Sequence, residues 1–200
     1  GEPLEADRLS RIHNEDALRR IAGQLSNFLI ELHNMNLNHF TFWMEEEHDP
    51  LQEWKDLYGR ILEKLYPYMK EQACKLTDRH FADFLTNVAN AAIVPSVIHG
   101  DFGTSNILYD PSSSQITGVI DFGSAHIGDP AIDYAALLAS YGEAFWGMVM
   151  EHNPSIRSMM DRVLFYKGTF ALQEALFGLE HDDPVAFHSG ITIVNKLETF

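Results

Sequence analysis

The sequence predicts a mainly helical α+β fold carrying one small β-hairpin. Three observations carry that expectation. Apolar residues recur at helical spacing through most of the chain. Asp-Pro pairs at 49–50, 129–130 and 183–184 look like helix openings, with proline at the first helical position. Only residues 107–120 place short β-branched and aromatic runs on either side of a Pro/Ser-rich reversal, Asp110-Pro111-Ser112-Ser113-Ser114-Gln115.

The elements follow in order. Asn14 is a helix cap followed by the first-turn acids Glu15 and Asp16. Leu18, Ile21, Ala22, Leu25, Phe28, Leu29 and Leu32 then recur on one face, which predicts a helix to about Asn34. His33, near its end, reads as a packing or capping residue. Asp49-Pro50 opens a second helix through Leu51, Trp54, Leu57, Ile61, Leu62 and Leu65. Thr77 or Asp78 is expected to cap a third, carrying Phe81, Phe84, Leu85 and Val88 and ending before Pro95. Val97 and Ile98 make a short strand. After the hairpin, Asp129-Pro130 starts a helix through Tyr134, Leu137 and Leu138, and Tyr141 to His152 forms another. Pro154 begins a long amphipathic helix to about Leu179, and Asp182-Asp183-Pro184 opens the last. Trp43, Trp54 and Trp146 lie in apolar patterns and read as core.

Composition narrows the function classes. The 200 residues are 46% hydrophobic with 8 Pro and 13 Gly, as in globular proteins, and suffice for a substantial core. No run of about 18 apolar residues exists, so no transmembrane helix is expected. The single cysteine, Cys74, excludes an internal disulfide and, with no visible signal peptide, suits the cytoplasm. Net charge is −15, from 14 Lys+Arg against 29 Asp+Glu, which disfavours nucleic acid and anionic membrane as partners. A small cationic molecule is favoured instead. Glu45-Glu46-Glu47 with Asp49, and Glu180 with Asp182-Asp183, are candidates for an acidic rim, although each alone reads as a solvated loop.

The hairpin carries the chemistry. Asn106 and Asp121 are equidistant from the Ser113–Ser114 peptide, so a simple antiparallel hairpin sets them side by side, with Cβ atoms roughly 4.5–5.5 Å apart. A one-residue bulge would shift that pairing without abolishing it. An amide oxygen and a carboxylate at such a distance can share a hard cation. Mg²⁺ suits them, because it takes oxygen ligands and often binds one or two protein groups plus substrate phosphates. Asp101, on the loop entering the hairpin, is placed to act as a base beside the metal. The pattern points to metal-assisted phosphoryl transfer.

His99-Gly100-Asp101-Phe102-Gly103-Thr104-Ser105-Asn106, then Ile120-Asp121-Phe122-Gly123, resembles the catalytic and metal loops of the aminoglycoside phosphotransferase-like kinases, small-molecule relatives of protein kinases. Gly128-Asp129-Pro130-Ala131-Ile132-Asp133-Tyr134-Ala135 resembles the segment that follows in that family. The resemblance implies a protein kinase-like C-terminal lobe, with Asp101 as base, Asn106 and Asp121 on Mg²⁺, and ATP or GTP as co-substrate. His99 would anchor the turn, and Asp133 would brace the catalytic loop from below. Gly100 and Gly103 would permit tight turns, while Ser105 would touch phosphate or cap. No Gly-x-Gly-x-x-Gly or Val-Ala-x-Lys pattern precedes Asp101, so the likeness covers a C-terminal lobe only. The nucleotide-binding N-terminal lobe is expected to have been lost by truncation or proteolysis, or to come from a separate chain. On this view residues 93–135 are the catalytic core, flanked by helical contributions from 1–92 and 130–200, and the chain is inactive alone. An aminoglycoside is the first acceptor the resemblance implies. Choline, homoserine, a macrolide or a sugar derivative stay open, as do a non-catalytic ligand-binding domain and a metal-dependent phosphohydrolase.

Overall fold

A computed structural model describes residues 1–43, 50–87 and 93–199. The acidic run at 45–47, Asp49, Val88 and the side chain of Trp43 fall outside the described residues. The chain gathers into two compact units, Gly1–Glu46 with Val94–Val163, and Glu47–Ile93 with Leu164–Phe200.

The first unit is built on two helices, α2 (Glu15–His33) and α5 (Ala131–His152), packed against each other, with the short α1 (Ala6–Ser10) alongside. Asn14 caps α2 as expected, its side chain accepting the Ala17 N–H at 3.0 Å. The apolar stripe Ile21, Ala22, Leu25 and Leu29 is fully buried, and burying each large side chain contributes about 1.5–3 kcal/mol. Helix α5 breaks at Gly142, where φ is +75° and ψ is 177°, so the two helices expected over this stretch are real, though joined end to end.

Strands β3 (Ile107–Asp110) and β4 (Gln115–Val119) form the expected hairpin, and β1 (Glu2–Pro3) adds a third antiparallel strand on the far side of β3. Asp110 holds the turn together by accepting from the Ser112 N–H at 2.9 Å and from the hydroxyls of Ser112 and Ser113. A second ladder pairs β2 (Ser96–Ile98) antiparallel with β5 (His126–Gly128), placing Ile98 opposite His126. The catalytic-loop sequence therefore leaves β2 while the Asp-Phe-Gly segment enters β5, so one ladder anchors both.

The second unit holds α3 (Pro50–Lys64), α4 (Glu71–Thr86), most of α6 (Met160–Glu180) and α7 (Pro184–Val194). Its centre is aromatic: Phe84 stacks on Phe165 at 3.6 Å, and Trp54 meets Phe165 edge-on at 5.1 Å. The expected cap at Thr77 or Asp78 is corrected here. Helix α4 starts at Glu71, with Lys70 in the cap position seven residues before Thr77, and the Lys70 N–H is taken by Asn195 Oδ1 at 2.6 Å. Thr77 is buried in mid-helix, continuing the stripe that joins Ala73 to Phe81. Asp78 accepts the hydroxyls of Tyr58 and Tyr66 at 2.6 and 2.5 Å. Burial and the hydrogen bond to Asp78 push both phenols up, because each disfavours a second negative charge.

Glu180 does not serve as a free rim acid. Ion pairs with Arg60 and with Lys64, the latter at 2.7 Å, hold its carboxyl at about 2. Asp183 is likewise engaged, capping α7 through the N–H groups of Val185 and Ala186. No helix among the described residues is long and apolar enough to cross a membrane.

Candidate active site

The hairpin register sets the site. Ile107 pairs with Val119 and Leu108 with Gly118, but Tyr109 pairs with Ile116, leaving Thr117 as a bulge. Asp110 pairs with Gln115, so the turn is centred on the Ser112–Ser113 peptide, one residue before the expected centre; that alone would set Val119 opposite Asn106, and the bulge advances the partner by one. The Ile120 N–H donates to the Asn106 carbonyl at 2.9 Å, so Ile120, and not Asp121, stands opposite Asn106. Asp121 follows in the left-handed region, with φ 61° and ψ 65°. Its exposed carboxylate accepts, among the described residues, only the local Gly123 N–H at 3.4 Å.

Asp101 and Asn106 are joined directly. The buried Asn106 amide donates from Nδ2 to the Asp101 carbonyl at 2.9 Å and to its Oδ2 at 3.0 Å. The amide nitrogen is thereby committed, which turns Oδ1 the other way; Ser105 Oγ lies 3.4 Å from it. Asp101 Oδ1 accepts no hydrogen bond among the described residues, and the carboxylate is exposed. One oxygen orients the base and the other stays open to a ligand. Phe102, fully buried and stacked on Phe28 at 5.6 Å, anchors the loop from below.

His99 is buried and held at both ring nitrogens. Asp101 N–H donates to Nδ1 at 3.3 Å, so the proton sits on Nε2 and is donated to the Ile120 carbonyl at 3.0 Å. The ring thus ties the base loop to the residue before Asp121, an anchoring role with no free nitrogen for proton transfer. Gly100 has φ +79°, and a Cβ there would lie 2.4 Å from the Ser124 carbonyl oxygen, so glycine is required by both backbone and space. Gly103 is under no such demand, its would-be Cβ meeting only Asp101 Oδ1 at 3.8 Å.

Asp133, fully buried at the head of α5, accepts the His99 N–H at 2.9 Å on Oδ2 and the Gly100 N–H at 3.0 Å on Oδ1. It braces the turn immediately before Asp101. Three contacts around the site are not legible in the sequence: His33, 3.0 Å from Asp133 Oδ2; Glu5, which accepts the Thr104 hydroxyl of the loop at 3.0 Å; and Arg162, whose Nε donates to the buried Asp129 at 2.6 Å. For His33 a signal existed, because it lies four residues after buried Leu29 and so extends an apolar stripe with a polar ring.

Among the described residues no three His, Cys, Asp or Glu side chains gather into a self-sufficient metal site. Beside Asp101 Oδ1, the oxygens here held only by long contacts of 3.4 Å are Asn106 Oδ1, from the Ser105 hydroxyl, and Asp121 Oδ1, from the Gly123 N–H. Two hard donors of this kind fit a cation that takes its remaining ligands from phosphate and water.

The sequence pattern of the phosphotransferase enzyme family (APH) matches residues 1–154. Viomycin phosphotransferase from Streptomyces vinaceus is 32% identical over 148 residues, covering 72% of this chain and 50% of that protein. The GDP complex of aminoglycoside 2'-phosphotransferase-IIIa superposes with a TM-score of 0.88 at 25% identity, over 97% of this chain and 66% of that one. A type I macrolide 2'-phosphotransferase shares the fold alone, with a TM-score of 0.73 at 19% identity over 90% of this chain and 60% of that one. The chain thus spans about half the length of the curated relative and about two thirds of the solved ones. From residue 1 to 154 the family pattern runs through both loops and the Asp133 brace, and the chain belongs to the phosphotransferase enzyme family.

Proposed function

We propose that the protein carrying this chain transfers the γ-phosphate of ATP or GTP to a hydroxyl of a small molecule, an aminoglycoside being the first candidate acceptor. The observation that supports this most directly is the Asp101 carboxylate, fixed on Oδ2 by Asn106 and open on Oδ1. In that state it accepts the proton of an acceptor hydroxyl, or orients that hydroxyl for attack. Asn106 Oδ1 and Asp121 would hold Mg²⁺, which when bound offsets the charge of the phosphates. His99 and Asp133 keep the base loop in register with the Asp121 segment, and this matters because phosphoryl transfer depends on positioning and electrostatics.

Relatives support the ligand classes. One solved neighbour is a GDP complex, another holds GDP and kanamycin, and a third holds ADP. The net charge of −15 favours a cationic acceptor. With Glu180 and Asp183 engaged internally, such an acceptor would draw on other acids. A nucleotide donor and a lone cysteine suit the cytoplasm.

The test is transfer of labelled phosphate by the full-length gene product, with ATP and GTP against a panel of aminoglycosides, viomycin, macrolides and choline. Asp101→Ala and Asp121→Ala should each lower turnover by about 10²–10⁴-fold while leaving the fold intact. Wild-type turnover in Asp101→Ala would overturn the assignment of the base. Phosphate released to water with no acceptor modified would favour a hydrolase instead.

A further inference from the structure

His126, the first residue of β5, carries a ring nitrogen that the site described above does not use. Its Nδ1 lies 2.8 Å from the Ser124 carbonyl. A carbonyl only accepts, so Nδ1 holds the proton and the uncharged ring presents a lone pair at Nε2. No donor among the described residues reaches that lone pair, and the residue is exposed. The ring is also held from beneath. A Cβ at Gly128, two residues on and on the same face of the strand, would lie 2.9 Å from His126 Nε2 and 2.8 Å from Ile98 Cδ1. Glycine at 128 therefore leaves the notch over which the imidazole lies, against the fully buried Ile98 that pairs with it across the ladder.

Two contacts put this ring beside the base loop. Ile98, its cross-strand partner, stands three residues before Asp101, a span of at most about 11 Å. The Ser124 carbonyl that holds Nδ1 is also the one packed against Gly100, where it leaves no room for a Cβ. One carbonyl thus anchors the imidazole and backs the residue before the base.

We propose that His126 is a specificity-determining residue for the acceptor. Its Nε2 takes an O–H or N–H of the acceptor molecule while another hydroxyl of that molecule sits at Asp101. The proposal rests on the phosphotransferase reading above. Chemistry selects the acceptor over the nucleotide: a lone pair set against phosphate oxygens is repelled, whereas a polyhydroxylated amine offers donors. Placement agrees, because β5 runs away from Asp121 along β2, the strand that leads into the base loop, and not along the hairpin that follows Asn106. A nitrogen already fixed in tautomer and orientation loses little freedom on binding, which favours a selective contact.

The experiment uses the full-length gene product, with kanamycin and viomycin as probes, and compares His126→Phe with His126→Gln. Both lose the Nδ1–H anchor. Phenylalanine keeps a flat ring over Gly128 without an acceptor atom, whereas the glutamine amide oxygen returns one at about the reach of Nε2. Steady-state kinetics are combined with calorimetric titration of each probe. His126→Phe should raise the acceptor KM and Kd on the order of 10-fold, with kcat and the nucleotide KM within about twofold. His126→Gln should stay within about threefold of wild type. An acceptor KM and Kd within about twofold of wild type in a folded His126→Phe protein would overturn the proposal. So would a folded His126→Gln as weak as His126→Phe, or a loss shared equally by the nucleotide, since the ring would then only support the loop. Should His126→Phe not fold, His126→Ala is read by the same criteria, and a chain that folds with neither residue assigns the ring to the ladder and refutes the contact. If wild type transfers no phosphate, the phosphotransferase reading fails by itself. Calorimetry then still decides: a probe held about 10-fold more tightly by wild type than by His126→Phe upholds the contact, and equal or absent binding refutes it.

Discussion

Replacing Asp133 by Asn changes one atom and removes one charge, and the structure allows the cost to be worked out. Three donors converge on the carboxylate, with Gly100 N–H on Oδ1 and His99 N–H plus His33 Nε2 on Oδ2. An amide has a single acceptor oxygen. If its NH₂ takes the Oδ1 position, it faces the Gly100 N–H, donor against donor. If it takes the Oδ2 position, His33 can change tautomer and accept, but the His99 N–H is left without a partner. Either orientation forfeits one charge-assisted hydrogen bond, about 1.5–3 kcal/mol, and strands a buried N–H, a further ~1–3 kcal/mol. The expected loss is about 3–5 kcal/mol, a large share of the ~5–15 kcal/mol that holds a protein folded. Urea denaturation followed by circular dichroism measures it. The melting temperature should fall by roughly 10 °C, with lower soluble yield. A variant within about 1 kcal/mol of wild type and with an unchanged urea slope would refute the claim that this carboxylate braces the loop through all three donors.

Other outcomes follow from the same geometry. Gly100→Ala forces a side chain to φ +79° and sets its Cβ 2.4 Å from the Ser124 oxygen. The strain of about 2–5 kcal/mol will be relieved by moving the loop, so turnover should drop on the order of 10²-fold; a kcat within threefold of wild type would contradict it. Arg60 and Lys64 hold the Glu180 carboxyl at about 2, below its unfolded value. The pairs therefore stabilise the fold fully above about pH 4.5, and that contribution is lost as pH falls towards 2. Both cations are nearly half exposed, so screening limits the effect to roughly 1 kcal/mol. Urea midpoints of wild type and Glu180→Gln should differ at pH 6 and converge near pH 2–3; a constant difference would count against the ion pairs.

The helices of the first unit were legible because cap and stripe agree: Asn14 does cap α2, and Ile21, Leu25 and Leu29 are its buried face. The hairpin was legible for the same reason, since alternation and a serine-rich turn point one way. Its register was not, because a turn centred on Ser112–Ser113 reads no differently from one centred a residue later, and the bulge at Thr117 depends on contacts remote in sequence. One is Gln24 Oε1, which takes the Ile116 N–H at 3.1 Å from helix α2. Strands β1 and β5, of two and three residues, are too short for any pattern and exist through their partners. At α4 a good capping residue, Thr77, misled, because tertiary burial outweighed a local preference. The juxtaposition of Asp101 and Asn106 lies within six residues and could be read locally. The His33–Asp133 contact spans a hundred residues; the stripe shows that His33 faces inward, and nothing local names its partner.

Asp121 holds a backbone conformation that suits glycine or asparagine better than aspartate, and this sets a trap for protein engineering. At φ 61° a residue with a β-carbon gives up roughly 1 kcal/mol or more. Asp121→Gly or Asp121→Asn should recover a few tenths to about 1 kcal/mol. A library sorted only for heat resistance would enrich these changes and, with them, proteins stripped of the carboxylate proposed to hold the metal. Ser114 and Asp182, at φ 54° each, occupy the same backbone region in turns away from the proposed metal ligands, Asp182 having been only a candidate for the acidic rim. There glycine or asparagine offers the same gain without that loss. Stabilisation campaigns on this scaffold should therefore open positions 114 and 182 freely and keep 121 closed unless turnover is selected at the same time.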